Sequence, residues 1–493
     1  MNFLVVDLGS SSCRACLLRE DGARISEARE RVRVSYGAGG VPGAAEIDAD
    51  EALRLVLRAS SAAIDSAGGA RPDGVGISSM LGWVFLDGEG RPLRPAMVWA
   101  DTRAAREAEA LASEIGPEVF YARSARRLSP ELLLPKLPWL ETHEAGCFER
   151  LASVLSLKDY IVWRLTGARA IDRATAGYTG LVDIAGPAED EPLLARVGLR
   201  PGFLPGIASA TALVGQAAGE FARAAHLPEG TPVALGSIDG TTAMYGSGVL
   251  LPGVAALVSG TTDVLMVACA ERPGDPGMRL TVNPAMVDGL FLVGGATGLS
   301  CGALDYFCSL FGTGIRNREE EIARLPFDLD APFALPGLTG ERSPYWDADA
   351  RGGLLGLGPG HGPAHILRAV MESTCFRLAA LVELLSDSGI APRNIAISGG
   401  GSRSGAWNRM RADATGIPVE LTLRDEATMA GTALFLESAL TGAGLVELSA
   451  ARIGFGEVWE PEASLRARYR ARRLRFESLL DAGRAAARRN DHG

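Results

Sequence analysis

One pattern occurs twice in this chain, and it limits the possible folds more than any other feature. Residues 5 to 18 read VVDLGSSSCRACLL, and residues 253 to 269 read GVAALVSGTTDVLMVAC. Each is an apolar strand, a turn of small residues and a second apolar strand. In the first, the run Phe3 to Val6 ends on the carboxylate of Asp7, a Gly and three serines follow, and a new apolar run spans Ala15 to Leu18. In the second, the turn is Ser259, Gly260, Thr261 and Thr262. Gly and Ser suit any tight turn, so each hairpin alone is compatible with ordinary turn chemistry. The same residues suit a loop whose N–H groups and hydroxyls hold a phosphate, with the acid holding its metal ion. Two hairpins of one chemistry, about 250 residues apart, suggest duplicated halves facing one another.

At 493 residues the chain exceeds one ordinary core and calls for two large domains. Hydrophobic residues make up 47% and charged residues 22%, a globular balance. A formal charge of −10 argues against non-specific binding to nucleic acid or an anionic membrane. The basic stretch Arg466 to Arg489 reads as one charged helix face. No apolar run reaches the ~20 residues of a membrane helix, and Phe3 to Val6 is too short for the core of a signal peptide. Seven cysteines scattered in apolar segments point to reduced thiols and a cytoplasmic protein. Cys13 and Cys16 form a C-x-x-C inside a predicted strand with no second pair, which marks them as core residues. His361 and His365 have Gly362 and Pro363 between them, so they cannot share one helical face as zinc ligands.

The rest of the chain alternates strands and helices, an α/β pattern. A helix is predicted from Ala52 to Ser66 with Asp50 as its N-cap. Strands are predicted over Gly74 to Ser78 and Trp83 to Leu86, and a short strand in MVWADTR feeds a helix from Ala104 to Ile115. Pro135 and Pro138 break the helical stretch Leu132 to Leu165. Residues 230 to 248, GTPVALGSIDGTTAMYGSG, read as a strand, a small-residue turn carrying Asp239, and a helix. A third glycine-rich turn follows the strand Asn394 to Ser398 and leads into a helix bearing Trp407, Met410 and Ala414. Glycine there lets a ligand approach the backbone closely, although neither the Walker nor the dinucleotide spacing is present. Two such hairpins could clamp a triphosphate, and Gly399 to Gly401 could admit its base. Phosphoryl transfer then needs positioning, Mg²⁺ and a proton acceptor. Asp239 is the candidate general base, and an Asx turn or helix N-cap would also account for an Asp there.

The chain resembles the FGGY carbohydrate kinases, which include glycerol, xylulose, ribulose and gluconate kinases. The resemblance runs in order through DLGSSSCR, VWADTR, GSIDG, SGTTD, GERSPYWDADARG and SGGGSRSGAWNRMRADATGIPV. It implies two actin-like (ribonuclease H-like) ATPase domains with an active-site cleft between them. Residues 1–247 would carry the sugar side and catalytic base, and residues 248–493 the adenosine side. It also implies ATP and Mg²⁺. Carried across, Asp7 falls on the metal-associated acid, acting on Mg²⁺ indirectly. Ser10 and Ser11 fall on the first phosphate-loop hydroxyls, with Ser-Ser replacing the usual Thr-Thr, and Arg14 closes that motif. Gly260 and Thr261 fall on the second phosphate hairpin. Gly400 and Ser404 fall on the adenosine loop with Gly298 on the same side, and Asp239 falls on the base.

Trp99 and Asp101 match positions lining the sugar pocket in relatives, as does Met80. Leu81 stands where xylulose and gluconate kinases carry His, in a stretch one residue shorter, so a polar sugar contact is replaced. Trp83 reads as core. The expected activity is phosphorylation of a hydroxyl on a small sugar, sugar acid or polyol, with a pentulose such as xylulose first. WADTRA leans towards gluconate as the alternative. A rival of another class is an actin-like ATPase using hydrolysis as a conformational switch, which needs the hairpins but no acid aimed at an acceptor hydroxyl. The partners expected are a small-molecule substrate, no nucleic acid and no membrane, and a homodimer is compatible with this reading.

Overall fold

The run Phe3 to Val6 is apolar at every position because its strand is covered on both faces. In this computed structural model, which describes residues 1–490 apart from 185, 187, 276, 424 and 425 (484–490 as backbone only), Asn2–Leu8 is a strand of a six-stranded sheet. Leu4, Val6 and Leu8 face one hydrophobic cluster with Leu53, Val56 and Ala59 of the helix Ala49–Asp65. Phe3 and Val5 face the opposite one with Met429 and Leu436 of the helix Ala427–Thr441. Strand alternation sends neighbouring residues to opposite faces. The same rule parts Cys13 and Cys16 into the two clusters, and both are free thiols. The helix Ala49–Asp65 is N-capped by Asp48, not Asp50: Asp48 has extended backbone and accepts from the Glu51 N–H at 2.6 Å. Asp50 already lies in the first turn, where its carboxylate accepts from the Tyr160 hydroxyl at 2.5 Å.

The sheet order is Leu213–Gln216, Pro232–Ala234, Gly74–Ser79, Asn2–Leu8, Ser12–Arg19, Arg24–Arg31. Its three middle strands, from Pro232–Ala234 to Asn2–Leu8, are parallel; the other pairings are antiparallel. A second sheet of five short strands includes Gly82–Leu86, Ala96–Val98 and Ser153–Ser156. Pro135 and Pro138 do not break the helix Leu133–His143: Pro135 occupies its first turn, where an N–H has no helical partner, and Pro138 lies inside it.

These elements belong to a unit comprising Met1–Gly246, Asn283–Phe291 and Thr428–Arg452. As a packing unit it is discontinuous, its last two segments lying beyond residue 247. The physical reason is packing: Met429 and Leu436 complete the cluster on Phe3 and Val5. Gly76 makes room, since a Cβ there would lie 2.9 Å from the Thr432 methyl.

The second unit runs through Ser247–Val282, Leu292–Ala427 and the chain from Ile453. Its seven-stranded sheet has the order Thr281–Pro284, Phe291–Leu299, Thr262–Cys269, Val254–Ser259, Asn394–Ser398, Val419–Thr422, Phe455–Trp459. Val254–Ser259 is antiparallel to Thr262–Cys269 and parallel to Asn394–Ser398, which is parallel to Val419–Thr422. The hairpin followed by parallel strands thus repeats the first sheet. The helix Pro363–Asp387, opened by Pro363 at its first turn, packs through Leu367, Val370 and Met371 with Leu304 and Phe307 of the helix Cys301–Leu310 and with Trp407 and Met410 of the helix Gly405–Thr415. Among the described residues, no helix is long and apolar enough to cross a membrane.

Candidate active site

In the first unit, the parallel strands end on one edge and bring distant residues together. Asp7 is in register with Ser78, and the Met80 N–H donates to the Leu8 carbonyl at 2.7 Å. A bridge between Ser79 and Ile238 sets the segment carrying Asp239 beside them. That segment crosses close to its neighbour at Gly236, whose φ is +68° and where a Cβ would lie 2.0 Å from the Ile77 carbonyl oxygen. Only glycine fits there. The edge therefore gathers Asp7, the Gly9–Ser11 turn, Met80 and Asp239. Carboxyl ends of parallel strands are where open α/β sheets bind ligands.

Asp239 opens the helix Asp239–Gly246 and its Oδ1 accepts from the Gly240 N–H at 2.7 Å. Burial pushes its carboxyl up to about 6, and the Gly240 N–H offsets this only in part. Ser10 and Ser11 are exposed at the hairpin tip, which the Gly9 N–H closes by donating to the Ser12 carbonyl at 2.9 Å. Arg14, opposite Asp7 in the ladder, lies 3.3 Å from Glu27.

The four residues expected at the sugar pocket part company. Trp99 is 44% exposed, and its N–H donates to the Leu81 carbonyl at 2.9 Å. Leu81 is buried in the cluster of Trp83, Phe85 and Ile238, and Met80 in that of Leu8 and Ile77. Asp101 is fully buried and accepts from the Ala45 N–H at 2.8 Å, from Arg103 Nη2 at 2.6 Å and from Lys136 Nζ at 3.4 Å. Burial lowers the Lys136 ammonium to about 8, against the opposing pull of Asp101. A carboxylate so supplied with donors acts first as a clamp.

In the second unit, the tip Gly260–Thr261 docks on the start of the helix Cys301–Leu310. The N–H groups of Ser300 and Gly302 donate to the Thr261 carbonyl at 2.8 and 3.1 Å, and that of Cys301 to Gly260 at 3.1 Å. Helix N–H groups that would otherwise lack partners are thereby satisfied, and the Thr261 side chain is left exposed. Beside it, Val258 is in register with Ser398, so the glycine-rich turn leaves the same sheet edge. Its glycines differ in role. A Cβ on Gly399 would lie 2.5 Å from the Ser259 carbonyl oxygen and one on Gly401 2.2 Å from Ser259 Oγ, whereas Gly400 has nothing within 4 Å. Gly400 alone is open to a ligand. Ser404 caps the helix Gly405–Thr415, accepting from the Trp407 N–H at 3.3 Å. Gly298 has φ +91°, and a Cβ there would lie 3.0 Å from the buried Arg377, which donates to Glu341 at 3.0 Å.

Sequence reasoning missed Arg411, the tie between these two turns. Fully buried, it donates to the Gly401 carbonyl at 3.1 Å and to Ser259 Oγ at 2.7 Å, stacked 4.2 Å over Trp407. The only signal was an Arg in the otherwise buried face of a helix already predicted. Lys136 and the buried Lys158 were missed for the same reason. His361 and His365 stand either side of a helix start, each Nδ1 accepting a backbone N–H, from Gly358 and Gly362. Among the described residues no group of three or more His, Cys, Asp or Glu side chains could hold a metal ion.

Residues 2–246 match the N-terminal domain of the FGGY family of carbohydrate kinases, and residues 255–440 match its C-terminal domain. A glycerol kinase from Alkalilimnicola ehrlichii is 29% identical over 450 residues, covering 87% of this chain and 88% of that one. A xylulose kinase from Escherichia coli (strain K12) is 27% identical over 483 residues, covering 97% and 98%. The crystal structure of xylulose kinase from Rhodospirillum rubrum matches with a TM-score of 0.89 at 27% identity, over 99% of this chain and all of that one. The repeated hairpin-and-parallel-strand sheets are those of the actin-like ATPase fold. This chain belongs to the FGGY family of carbohydrate kinases.

Proposed function

We propose that this carbohydrate kinase transfers the γ-phosphoryl group of ATP to a hydroxyl of a pentulose such as xylulose, with Asp239 as general base. The observation that carries the reading is Asp239 itself: a carboxyl raised by burial to about 6, at the same sheet edge as Asp7 with the end of the strand Gly74–Ser79 between them. A base near that value is ionised at neutral pH and still able to take a proton. As the acceptor oxygen bonds to phosphorus and the bond to the ADP oxygen breaks, the hydroxyl proton passes to Asp239. The serines of the first turn and Thr261 of the second supply hydroxyls for the phosphates, and Gly400 the open face for adenosine. Mg²⁺ would neutralise phosphate charge; Asp7 offers the hard oxygen donor such an ion prefers, acting through water.

Trp99, exposed next to this edge, supplies an apolar face for the sugar. The test is ADP release with D-xylulose, glycerol and gluconate in parallel. A kcat/KM highest with xylulose supports the pentulose; one highest with gluconate supports the alternative to which WADTRA leans. ATP turnover indifferent to every sugar would return the chain to the switch reading.

A further inference from the structure

Asp239 ends a segment, Leu235 to Asp239, that leaves its strand and must deliver a carboxylate to a fixed point. What holds that segment is a polar cluster with no exposure at all. Lys158, Asp159, Asp172 and Ser237 are each fully buried. Lys158 Nζ donates to the Leu235 carbonyl at 3.0 Å, pairs with Asp159, and lies 3.4 Å from Asp172. Ser237 Oγ donates to Asp172 Oδ1 at 2.7 Å, and Asp172 also caps the helix Arg173–Gly177 through the Thr175 N–H at 3.2 Å. Asp159 is itself held by the Ser156 hydroxyl at 2.6 Å.

Such a cluster is a poor way to gain stability, because desolvating charges costs about what their attraction returns. What it supplies is direction. Two of its contacts, at the Leu235 carbonyl and the Ser237 hydroxyl, fall four and two residues before Asp239. The remaining polar anchors are on the backbone: the Leu235 N–H donates to the Ala212 carbonyl at 3.0 Å, the Gly236 N–H to the Ala210 carbonyl at 2.9 Å, and Ile238 bridges to Ser79. Ser237 has the one polar side chain between Leu235 and Asp239, and its bond to Asp172 sets the rotation of the chain between the Gly236 and Ile238 anchors.

We infer that Ser237, through Asp172 and Lys158, is a positioning residue for Asp239. The inference rests on Asp239 being the proton acceptor. A reacting group must be held to about 0.5 Å, and a misplacement of 1 Å costs up to ~10²-fold. The experiment is a double-mutant cycle on the full-length enzyme with saturating ATP and its best sugar. Ser237→Ala should lower kcat about 10- to 100-fold while KM for ATP and sugar stays within about twofold. In an Asp239→Asn background, the same change should lower kcat no further, because there is no base left to misplace. Should Ser237→Ala fail to fold, Asp172→Asn, which keeps the shape and removes the charge, enters the same cycle. Full kcat in the single variant, or equal losses in both backgrounds, overturns the inference. An Asp239→Asn variant with full kcat overturns instead the assignment of the base, so the two failures are told apart.

Discussion

Asp239 and Asp101 are two aspartates of the first unit with opposite surroundings. Asp101 is met by a backbone N–H, a guanidinium and an ammonium, within 2.6 to 3.4 Å. Asp239 receives one backbone N–H and, among the described residues, makes no ion pair. A carboxylate saturated with cationic donors is spent on holding structure; a half-buried one with a single donor, as Asp239 is, is raised in proton affinity and left available. Both stand in motifs that the sequence reading expected at the site, so the difference lies in what each touches.

The comparison breaks first on removal of each side chain. Asp239→Asn should lower kcat by roughly 10²–10⁴-fold with the fold and ATP binding intact, measured by steady-state kinetics and nucleotide titration. Asp101→Ala should fail by stability, leaving Lys136 buried without its anion and Arg103 with Glu46 alone, at ~3–5 kcal/mol, read from denaturant midpoints. If Asp101→Ala is stable and merely loses sugar affinity, Asp101 is a pocket residue first, as its place in VWADTR suggested.

Acidity separates the pair next. Asp239 must be ionised to accept a proton, so kcat/KM should fall tenfold per pH unit below about 6. The sign for stability is the reverse. A carboxyl raised in the folded state is penalised when charged, so its cost is absent below the unfolded value near 4 and complete above about 6. Asp239→Asn should therefore melt higher than wild type at pH 8, the gap closing as pH falls through this window. An acid limb unmoved by Asp239→Asn, in the residual activity, would assign it to another group.

How much of this was legible in the sequence follows from the range of the forces involved. The hairpins and the strand-to-helix turns are local: small residues at tight turns declare themselves, and so did the glycine-rich loop. Asp48 against Asp50 is a contest between neighbours that only backbone angles decide. The helix Ala427–Thr441 completes the first unit because its apolar face fits Phe3 and Val5, a match made more than 400 residues away that no local pattern carries. At the site, Asp7 and Asp239 were legible as acids at strand ends. Arg411, Lys136 and Lys158 were not, because a buried cation looks in sequence like a solvated one. Leu81 was placed from the expected motif, and its side chain packs with Trp83 and Phe85.

The smallest effects test the same distinction, between spent and available groups, in the second unit. Gly400 and Ser404 were both expected on an adenosine loop, yet Ser404 is occupied as an N-cap and Gly400 faces open space. Gly400→Ala should leave the melting temperature unchanged, since beyond the adjoining chain the added carbon meets nothing within 4 Å. It should raise KM for ATP by about tenfold, as a methyl meeting the nucleotide costs ~1–2 kcal/mol. Ser404→Ala should do the opposite, losing about 1 kcal/mol of stability with the cap and changing KM for ATP less than twofold. Thermal melts and ATP saturation curves on both variants decide it. If Ser404→Ala raises KM for ATP while stability holds, the hydroxyl leaves its cap for the nucleotide. The rule drawn from Asp101 and Asp239, that a satisfied polar group serves structure, would then not extend to a neutral hydroxyl, whose single hydrogen bond is cheap to exchange.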